Sequence, residues 1–338
     1  MQQTKRLKRP SRSPQDDACI KNLQSSINTP DVSEEDVYTT AMRPSKRGVA
    51  PGPNGDRAEF LQSAFYNPFG STSAATVVQY MTKHINLERQ GRLSDEWYEV
   101  VSSVNLIAIT RKLRPIGMGY SGRKLVSGVS SVAAAKDIRE KIAPFQLSSL
   151  IRNGSDSVVH LVRQLHELYG DSHVFLQIDV KNAFNSVSRL HGLLAIAQHL
   201  PQLYTCILRT YRNMNKMWIN ATDDQIREYI LRQEGSTQGA VDGGIFFNNA
   251  INDVLHELNK LVLQLGGGTF VAIADDIIGC IKPEAGLPAF QLIEDRFSVL
   301  NLQINYEKST LFLNNQHTLD MQSQSLSEVR VIISITSF

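Results

Sequence analysis

The sequence predicts an α+β fold in which antiparallel strands form a sheet and helices cover one face of it. Residues 155–170 read SDSVVHLVRQLHELYG, where apolar side chains recur every three or four residues, as in an amphipathic helix. The stretches NLIAIT, HVFLQIDV and FVAIADDIIGC are instead rich in the residues that are typical of strands. With 338 residues, 42% of them hydrophobic, the chain is long enough for one large domain or two modest ones.

Start and stop signals separate the elements of the first half. Residues 1–32 are polar and basic and lack the apolar segment of a secretory signal, so we expect a disordered tail. A nuclear-localisation or nucleic-acid-binding arm is the alternative. The elements that follow are a helix after Ser33, a Pro- and Gly-rich loop at 43–61 that enters a helix, a capped helix at about 71–91, the strands NLIAIT and RPIGMG, and a helix at 125–142.

The second half alternates strands and helices up to residue 315. The amphipathic helix is capped by Ser155, and its apolar face consists of Val158, Leu161, Val162, Leu165 and Leu168. The elements that follow are the strand HVFLQIDV, the helix SRLHGLLAIAQHL, a helix from Pro201 to about Arg212, a hairpin of NKMWIN and REYILRQ, a long helix from Val241 to Leu265, the hairpin FVAIADDIIGC, the helix AFQLIEDRFSVLN and the strand STLFL.

The charge of the chain is concentrated in one segment. The formal net charge is only +2. Residues 103–164, however, hold ten Lys and Arg against Asp137, Glu140 and Asp156, a net +7. Such a segment indicates a surface for phosphates, and a solvated face with counter-charges from elsewhere is an equal alternative.

Cysteine spacing and hydropathy indicate the cellular compartment in which the protein is expected. Cys19, Cys206 and Cys280 are widely spaced, which argues against a disulfide framework and for a reducing environment. No apolar run is long enough to span a bilayer. We therefore expect no membrane contact and a location in the nucleus or cytoplasm.

Two adjacent carboxylates, Asp275 and Asp276, interrupt an otherwise apolar hairpin. A solvated turn would explain them, because Asp caps its own backbone in tight turns. A Mg²⁺ site is the alternative, since this ion binds few protein carboxylates and leaves room for substrate phosphates. Asp179 ends the strand HVFLQIDV, and if the two strands are neighbours, the three carboxylates converge. Three close carboxylates repel one another unless a cation is present, so they predict a metal site.

A glycine-rich segment, EGSTQGAVDGG, lies between these two strands. Gly235, Gly239, Gly243 and Gly244 leave the backbone uncovered, so a flat or bulky group can approach closely. Gln238 adds a donor and an acceptor. Taken alone, the segment is equally well explained as a flexible loop before a helix.

The order of these motifs resembles the reverse transcriptase domain of non-long-terminal-repeat retrotransposons, within the right-hand polymerases. QIDVKNAFNSV resembles polymerase motif A, GSTQGAVDGGIFFNNAI motif B, FVAIADDIIG motif C and LNLQINYEKSTLF motif D. VAPGPNGDRAEFL and LRPIGMGYSGRKL are similar to fingers elements, and FQLSSLIRNGSDSVVHLVRQL to the segment that precedes motif A. The resemblance covers about residues 43–315, and its specificity lies in the order of the motifs.

The resemblance implies a catalytic site with two Mg²⁺ ions, for which Mn²⁺ can substitute. Asp179 and Asp275 would bind the metal with the carbonyl of Val180, and Asp276 would support the site. The implied substrates are a DNA primer on an RNA template and deoxynucleoside triphosphates. The reaction would be the two-metal transfer of a nucleotide to the primer 3′ end.

Contacts with the incoming nucleotide are implied for further residues. Phe184 stands where the family has its steric gate against the ribose 2′-hydroxyl, and plain core is its alternative role. Lys308 matches a lysine that can donate a proton to pyrophosphate, and a merely solvated lysine is the alternative. The remaining residues that would contact the nucleotide or its triphosphate are Arg114, Gln238, Gly239 and one of Lys112 and Lys124.

The motifs also divide the chain into segments. We expect an N-terminal extension and fingers at 33–178, a palm at 179–315 with an antiparallel sheet backed by helices, and a C-terminal remnant at 316–338. Only about 30 residues follow Lys308. They offer no thumb pattern, so we expect truncation after the palm, with the thumb absent or incomplete.

Three departures from the family pattern leave alternatives open. Ile273 stands where the family has an aromatic residue, the link TRKLRPI between two strands is short, and AVDGG replaces a Pro-Leu-Gly-Pro-like segment. One alternative is a catalytically inactive remnant that binds nucleic acid or a partner. Another is a template-independent or RNA-directed RNA polymerase, which would not need a bulky residue at position 184.

Overall fold

The structure, a computed structural model, describes residues 18–43 except 19, 21 and 25, and residues 50–66, 72–109, 114–170, 172–219, 228–314 and 329–334. Its strands are β1 (Val104–Ile109), β2 (Arg114–Gly119), β3 (Val174–Ile178), β4 (Asn215–Ile219), β5 (Tyr229–Arg232), β6 (Gly268–Ile273), β7 (Asp276–Ile281), β8 (Thr310–Asn314) and β9 (Arg330–Ser334).

The helices account for most of the ordered residues between these strands. They are α1 (Glu34–Ala41), α2 (Ala58–Phe65), α3 (Thr72–Arg89), α4 (Asp95–Val101), α5 (Ser121–Ala133), α6 (Ala135–Ile142), α7 (Gly154–Tyr169), α8 (Ala183–Ser186), α9 (Arg189–His199), α10 (Pro201–Tyr211), α11 (Val241–Gln264) and α12 (Gly286–Val299). The helix that we predict at 125–142 is thus two helices, α5 and α6, which meet at Ala134. No helix among the described residues has both the length and the apolar character needed to cross a membrane.

The strands form two sheets, which confirms the α+β class. The first has the order β2-β1-β4-β5, in which β1 pairs antiparallel with β2 and parallel with β4. The second has the order β6-β7-β3-β8-β9 and is antiparallel except for the pair β8–β9. The predicted hairpin of β4 and β5 is present. It lies in the first sheet, so the sheets do not divide at residue 179, where we expect the palm to begin.

The second sheet is covered by helices on one face, as predicted. Side chains of a strand alternate between faces, and in β3 Val174, Leu176 and Ile178 are fully buried. They share a core with residues of α9, α11 and α12. Phe175 and Gln177 point to the other face, where they line a groove of about 460 Å³ whose far wall is α7.

Helix α7 is less buried than its sequence pattern predicts. It begins at Gly154, after Asn153 in the left-handed conformation (φ 55°), and not at a Ser155 cap. A Cβ at position 154 would lie 1.7 Å from the Leu147 carbonyl oxygen, so this position requires glycine. The groove beside the sheet leaves part of the predicted apolar face uncovered, and Leu168 is 71% exposed.

The folded part of the chain begins before residue 33, which corrects the predicted boundary of the disordered tail. Described residues between 18 and 26 are helical, and Ile20 is buried in the main core. The Tyr204 hydroxyl donates to the Ile20 carbonyl at 3.1 Å. The backbone of Val32 exchanges two hydrogen bonds with the side chain of Asn86. Backbone groups with such partners belong to the folded domain.

Candidate active site

A tight hairpin carries the two adjacent carboxylates. Ile273 pairs with Asp276 at the ends of β6 and β7, so Ala274 and Asp275 form a two-residue turn. Ala274 has a φ of 54°, in the left-handed region that such turns use and that residues other than glycine rarely adopt. The turn therefore depends on support from outside the hairpin.

Gln146 provides that support. Its side chain is fully buried, its Nε2 donates to the Ala274 carbonyl at 3.1 Å, and its Oε1 accepts from the Ala274 N–H at 2.9 Å. The flanking backbone of Phe145 and Leu147 makes two further hydrogen bonds with Ala272, of 2.7 and 2.8 Å. One amide side chain thus satisfies both polar backbone groups of the left-handed residue. Gln146 was not predicted, because a single glutamine carries no local signal.

Replacing Gln146 by leucine is expected to destabilise the fold. We expect Gln146→Leu to lower the free energy of unfolding by about 2 kcal/mol, because a backbone donor and acceptor lose their partners in a buried place. Urea unfolding followed by circular dichroism measures this change. Gln164→Leu on the exposed side of α7 is the matched control and is expected to have almost no effect. Equal losses of unfolding free energy in the two variants would show that the Gln146 side chain does not support the turn.

Asp179 follows β3 and is held by the segment that precedes β8. The Asn305 side chain donates to Asp179 Oδ2 at 2.8 Å, and the Asn305 N–H donates to the Asp179 carbonyl at 2.8 Å. The Asp179 N–H donates to the Ser309 hydroxyl at 3.2 Å. Asn305 and Ser309 are both buried. These two residues fix the orientation of Asp179, the predicted metal ligand. Neither of them was predicted from the sequence. The only sign of them is their position within the motif D stretch.

The register of β3 and β7 places Asp179 beside the hairpin. Ile178 pairs with Ile277, so the position opposite Asp276 is that of Asp179. Directly opposed residues of an antiparallel pair have Cβ atoms about 5 Å apart and point to the same face. The two predicted ligand-bearing segments are therefore neighbours.

The carbonyl of Val180 points to the same side. Val180 forms an isolated bridge with Ile304, in which the Asp179 carbonyl and the Lys181 N–H make the hydrogen bonds to the segment before β8. Backbone polar groups alternate in direction along a strand, so those of Val180 point to the opposite edge, where β7 lies. This direction is the one that the predicted ligand role requires.

The carboxylate oxygens of Asp179 and the hairpin, together with the Val180 carbonyl oxygen, are of the kind that bind a hard cation such as Mg²⁺. That ion binds through one or two carboxylates together with water and substrate phosphates. The expected convergence of three carboxylates is not seen. Among the described residues, no group of three or more Asp, Glu, His or Cys side chains is placed to hold a metal ion. Asp276 is the first residue of β7, whereas Asp275 lies in the turn that precedes it, so the two carboxylates stand on differently oriented backbone.

Phe184 lies between the core and the surface. Its half-buried ring stacks on Phe247 of α11, with centroids 4.7 Å apart and an angle of 25° between the planes. Its carbonyl accepts a 2.6 Å hydrogen bond from the Ser236 N–H in the glycine-rich loop. One part of the side chain is thus packed in the core while another part is accessible beside the loop. This placement is compatible with both predicted roles.

The glycine-rich loop is attached to motif A at its first glycine. Gly235 has a φ of 76°, and a Cβ there would lie 2.4 Å from the backbone of Asn185. The Gly235 N–H donates to the Val187 carbonyl at 3.0 Å. Only glycine permits this approach of two backbones. The flexible-loop alternative is therefore wrong for this part of the segment.

The far end of the loop contacts the first sheet. The Gly117 N–H of β2 donates to the Gln238 carbonyl at 3.0 Å. Gly239 has a φ of 98°, and a Cβ there would lie 3.0 Å from the Ile116 side chain. The loop thus spans from motif A to β2, which carries Arg114 at its first position. The loop therefore contacts the same strand that carries Arg114, at Ile116 and Gly117.

Three of the predicted basic residues differ in how the structure places them. Lys112 lies outside the described residues, and Arg114 is placed only by its backbone, opposite Ile109. Lys308 is exposed in the turn before β8, and its N–H donates to the Asn305 carbonyl. Lys308 is thus three residues beyond the side chain that holds Asp179.

Lys124 is half-buried near the start of α5. It lines a small cavity with Thr237 and Asp242, close to the beginning of α11. Burial lowers the pKa of the Lys124 ammonium below its ordinary value. An anionic group beside it would favour the charged form and reverse that effect.

A buried polar network beneath the glycine-rich loop was not predicted. Asp242 accepts from the Arg123 guanidinium at 3.0 Å and from the hydroxyls of Ser127 and Tyr211 at 3.2 and 3.3 Å. The Thr237 N–H donates to the Tyr211 oxygen at 3.3 Å. Burial raises the pKa of the Tyr211 phenol, so it stays protonated and donates to the carboxylate. The network ties α5 and α10 to the loop, and its only sign in the sequence is the acid in AVDGG.

Comparison with known proteins agrees with this arrangement. A family model described as reverse transcriptase (RNA-dependent DNA polymerase) matches residues 110–329. The matched part contains β3, the glycine-rich loop and the Asp275–Asp276 hairpin. A search of curated proteins gave no match. Because the family match spans well over half of the sequence, the chain belongs to the reverse transcriptase (RNA-dependent DNA polymerase) family.

Proposed function

We propose that the chain is the polymerase domain of a non-long-terminal-repeat retrotransposon and extends a DNA primer on an RNA template. The main support for the proposed metal-binding residues is the register of β3 and β7, in which Asp179 lies beside the hairpin of Asp275 and Asp276. Family membership supports the reaction class. A location in the nucleus or cytoplasm stays a prediction.

The reaction would join the primer to an incoming deoxynucleotide. The primer 3′-hydroxyl attacks the α-phosphate, a phosphodiester bond forms, and pyrophosphate leaves. Asp179, Asp275 and the Val180 carbonyl would hold two Mg²⁺ ions, with Asp276 supporting the site, and the bound ions would activate the hydroxyl and stabilise the leaving group. Asn305 and Gln146 keep the ligand-bearing segments in place before substrate arrives. Lys308 would give a proton to the leaving pyrophosphate.

The nucleotide would lie against the glycine-rich loop. Gln238 and Gly239 contact β2 on one side, and Gly239 is exposed to solvent, so a base and sugar would approach the loop from that exposed side. The triphosphate would be met by Arg114 and by Lys112 or Lys124. Lys124 is half-buried and lines the cavity beside the loop, and a phosphate bound there would favour its charged form against the effect of burial, which lowers its pKa.

Phe184 would act as the gate against ribonucleotides. We expect Phe184→Ala to reduce the preference for deoxynucleotides over ribonucleotides at least about tenfold, because the clash with the 2′-hydroxyl is removed. The measurement compares incorporation of the two sugars by single-nucleotide extension. Phe312→Ala, a partly exposed phenylalanine on β8, is the control and leaves the ratio unchanged. An unchanged ratio in the Phe184 variant would mean that this ring is only part of the core.

Primer extension tests the proposed activity directly. A labelled DNA primer is annealed to RNA and to DNA templates of the same sequence and incubated with the four deoxynucleotides. We expect extension with Mg²⁺ on the RNA template and none with a chelator. A chain that binds the primer–template but never extends it, with Mg²⁺ or Mn²⁺, would instead support the nucleic-acid-binding alternative. Extension that proceeds equally well without a template would contradict the proposal.

A further inference from the structure

A second cavity lies away from the predicted active site, among the helices of the N-terminal part. It has a volume of about 410 Å³ and is enclosed by α2, α3, α4 and α5. Glu88 and His84 of α3 line it, together with Trp97 of α4. These three residues have no part in the polymerase reaction proposed above. Their chemistry therefore needs a separate explanation.

Glu88 brings an incompletely paired carboxylate to this cavity. Its side chain is only 3% exposed, and its Oε2 accepts from the Trp97 indole N–H at 3.2 Å. Its Oε1 is buried and makes no hydrogen bond. A buried carboxylate oxygen without a donor costs free energy, because its interaction with water has been lost without replacement. A ligand that places an N–H in the cavity would remove that cost.

The charged groups around Glu88 leave its Oε1 without a hydrogen-bond donor. The Arg123 Nη1 is 3.9 Å from Glu88 Oε1, too far for a hydrogen bond, while its Nη2 is 3.0 Å from Asp242. One guanidinium thus lies between two buried carboxylates. His84 Nε2 is 3.6 Å from Glu88 Oε2 and adds charge only when protonated. Asp56 and Arg57 also line the cavity, and the buried Arg232 is attracted to Asp242, so the charges of this cluster balance. What Glu88 lacks is a hydrogen-bond donor at Oε1, which a ligand N–H would supply.

Aromatic side chains form part of the cavity wall. Trp97 meets His84 edge-on, with ring centroids 4.9 Å apart. Phe60 and Tyr120 also line the cavity, and Phe60 is 63% exposed. Faces of such rings attract cations, most strongly where water is excluded. The cavity therefore combines apolar walls with one buried acceptor, which suits an apolar body that ends in a charged donor group.

We propose that this cavity is a binding site for an organic cation of the amidinium or guanidinium type. The planar cationic end would donate an N–H to Glu88 Oε1, and the body of the ligand would lie against the aromatic residues. The site does not depend on the polymerase activity, because its residues are separate from the predicted metal ligands at Asp179 and the hairpin of Asp275 and Asp276. A ligand bound there would contact α3, α4 and α5 at once.

Ligand-observed fluorine NMR tests this site with 4-fluorobenzamidine and its neutral analogue 4-fluorobenzamide. In the wild-type chain we expect the amidine to bind at least about tenfold more tightly than the amide, since only the amidine carries the charge. Glu88→Gln keeps an acceptor for the Trp97 indole but removes the charge, and it should abolish this difference. Asp56→Asn, which neutralises an exposed carboxylate at the same cavity, is the control and should preserve the difference.

Three outcomes would overturn the proposal. The first is equal binding of the two probes to the wild-type chain, which would reduce the cavity to an apolar pocket. The second is a charge preference that persists in Glu88→Gln, and the third is no binding of the amidine. The comparison of the two probes in the wild-type chain stands even if Glu88→Gln does not fold, which thermal unfolding reports. Primer extension is not used as a readout, so failure of the polymerase proposal leaves this test unaffected.

Discussion

Asp275→Asn is expected to reduce primer extension at least about 100-fold without unfolding the protein. Loss of residues that merely position metal ligands costs about 10- to 100-fold in activity, so loss of a ligand charge should cost at least the upper value. The amide is close to the carboxylate in shape, and the turn keeps its support from Gln146. Single-turnover extension on an RNA template measures the change. Thermal unfolding in chelator should stay the same or rise, because carboxylate repulsion is relieved.

The neighbouring aspartate provides the sharpest comparison. Asp276 lies opposite Asp179 in the strand register, whereas Asp275 lies in the turn. If Asp276→Asn proves the more damaging of the two, the strand-opposed residue is the metal ligand and Asp275 supports it. Asp295→Asn, on the exposed side of α12, is a charge-matched control that should leave extension unchanged. Extension by Asp275→Asn within about threefold of the wild type would contradict its role as a ligand.

Arg123→Met is expected to lower the free energy of unfolding by about 3–5 kcal/mol. Arg123 and Asp242 have side chains that are 9% and 7% exposed and lie 3.0 Å apart. Removing the guanidinium leaves Asp242 as a buried charge and also takes away the cation nearest to Glu88. The effect is large because the buried carboxylate loses the guanidinium that faces it and keeps only the hydroxyls of Ser127 and Tyr211 as donors. Urea unfolding at constant pH measures it.

A double variant separates the lost pairing from lost packing. Arg123→Met combined with Asp242→Leu should recover much of the stability, because no unpaired charge then remains at that position. Lys136→Met breaks an exposed pair with Glu140 and is expected to cost at most about 0.5 kcal/mol. A loss in Arg123→Met no larger than that of Lys136→Met would show that the buried network contributes little. A double variant as unstable as the single one would point to packing.

The sequence by itself determined the elements and their order. The spacing of apolar residues predicted strands β1 to β8 and the long helix α11, because local periodicity reports which side of an element is buried, whereas β9 lies in the segment expected to be a C-terminal remnant. The hairpin around Asp275 and Asp276 was predicted from the two apolar runs that flank it. The motif order also predicted a reverse transcriptase, which the family match then showed, while the retrotransposon subtype stays a prediction. Each of these conclusions rests on information contained in a short stretch of chain.

The tertiary structure alone decided which segments meet. The parallel pairing of β1 with β4 joins strands about 110 residues apart, and no local pattern encodes such a partner. The roles of Asn305 and Gln146 follow only from the tertiary structure, in which their side chains make hydrogen bonds to Asp179 and Ala274. A buried polar residue is explained by the particular donor or acceptor it satisfies, and that partner comes from a distant part of the chain. The presence of three aspartates in the sequence likewise did not decide whether they form one cluster, and among the described residues no group of three or more such side chains is placed to hold a metal ion.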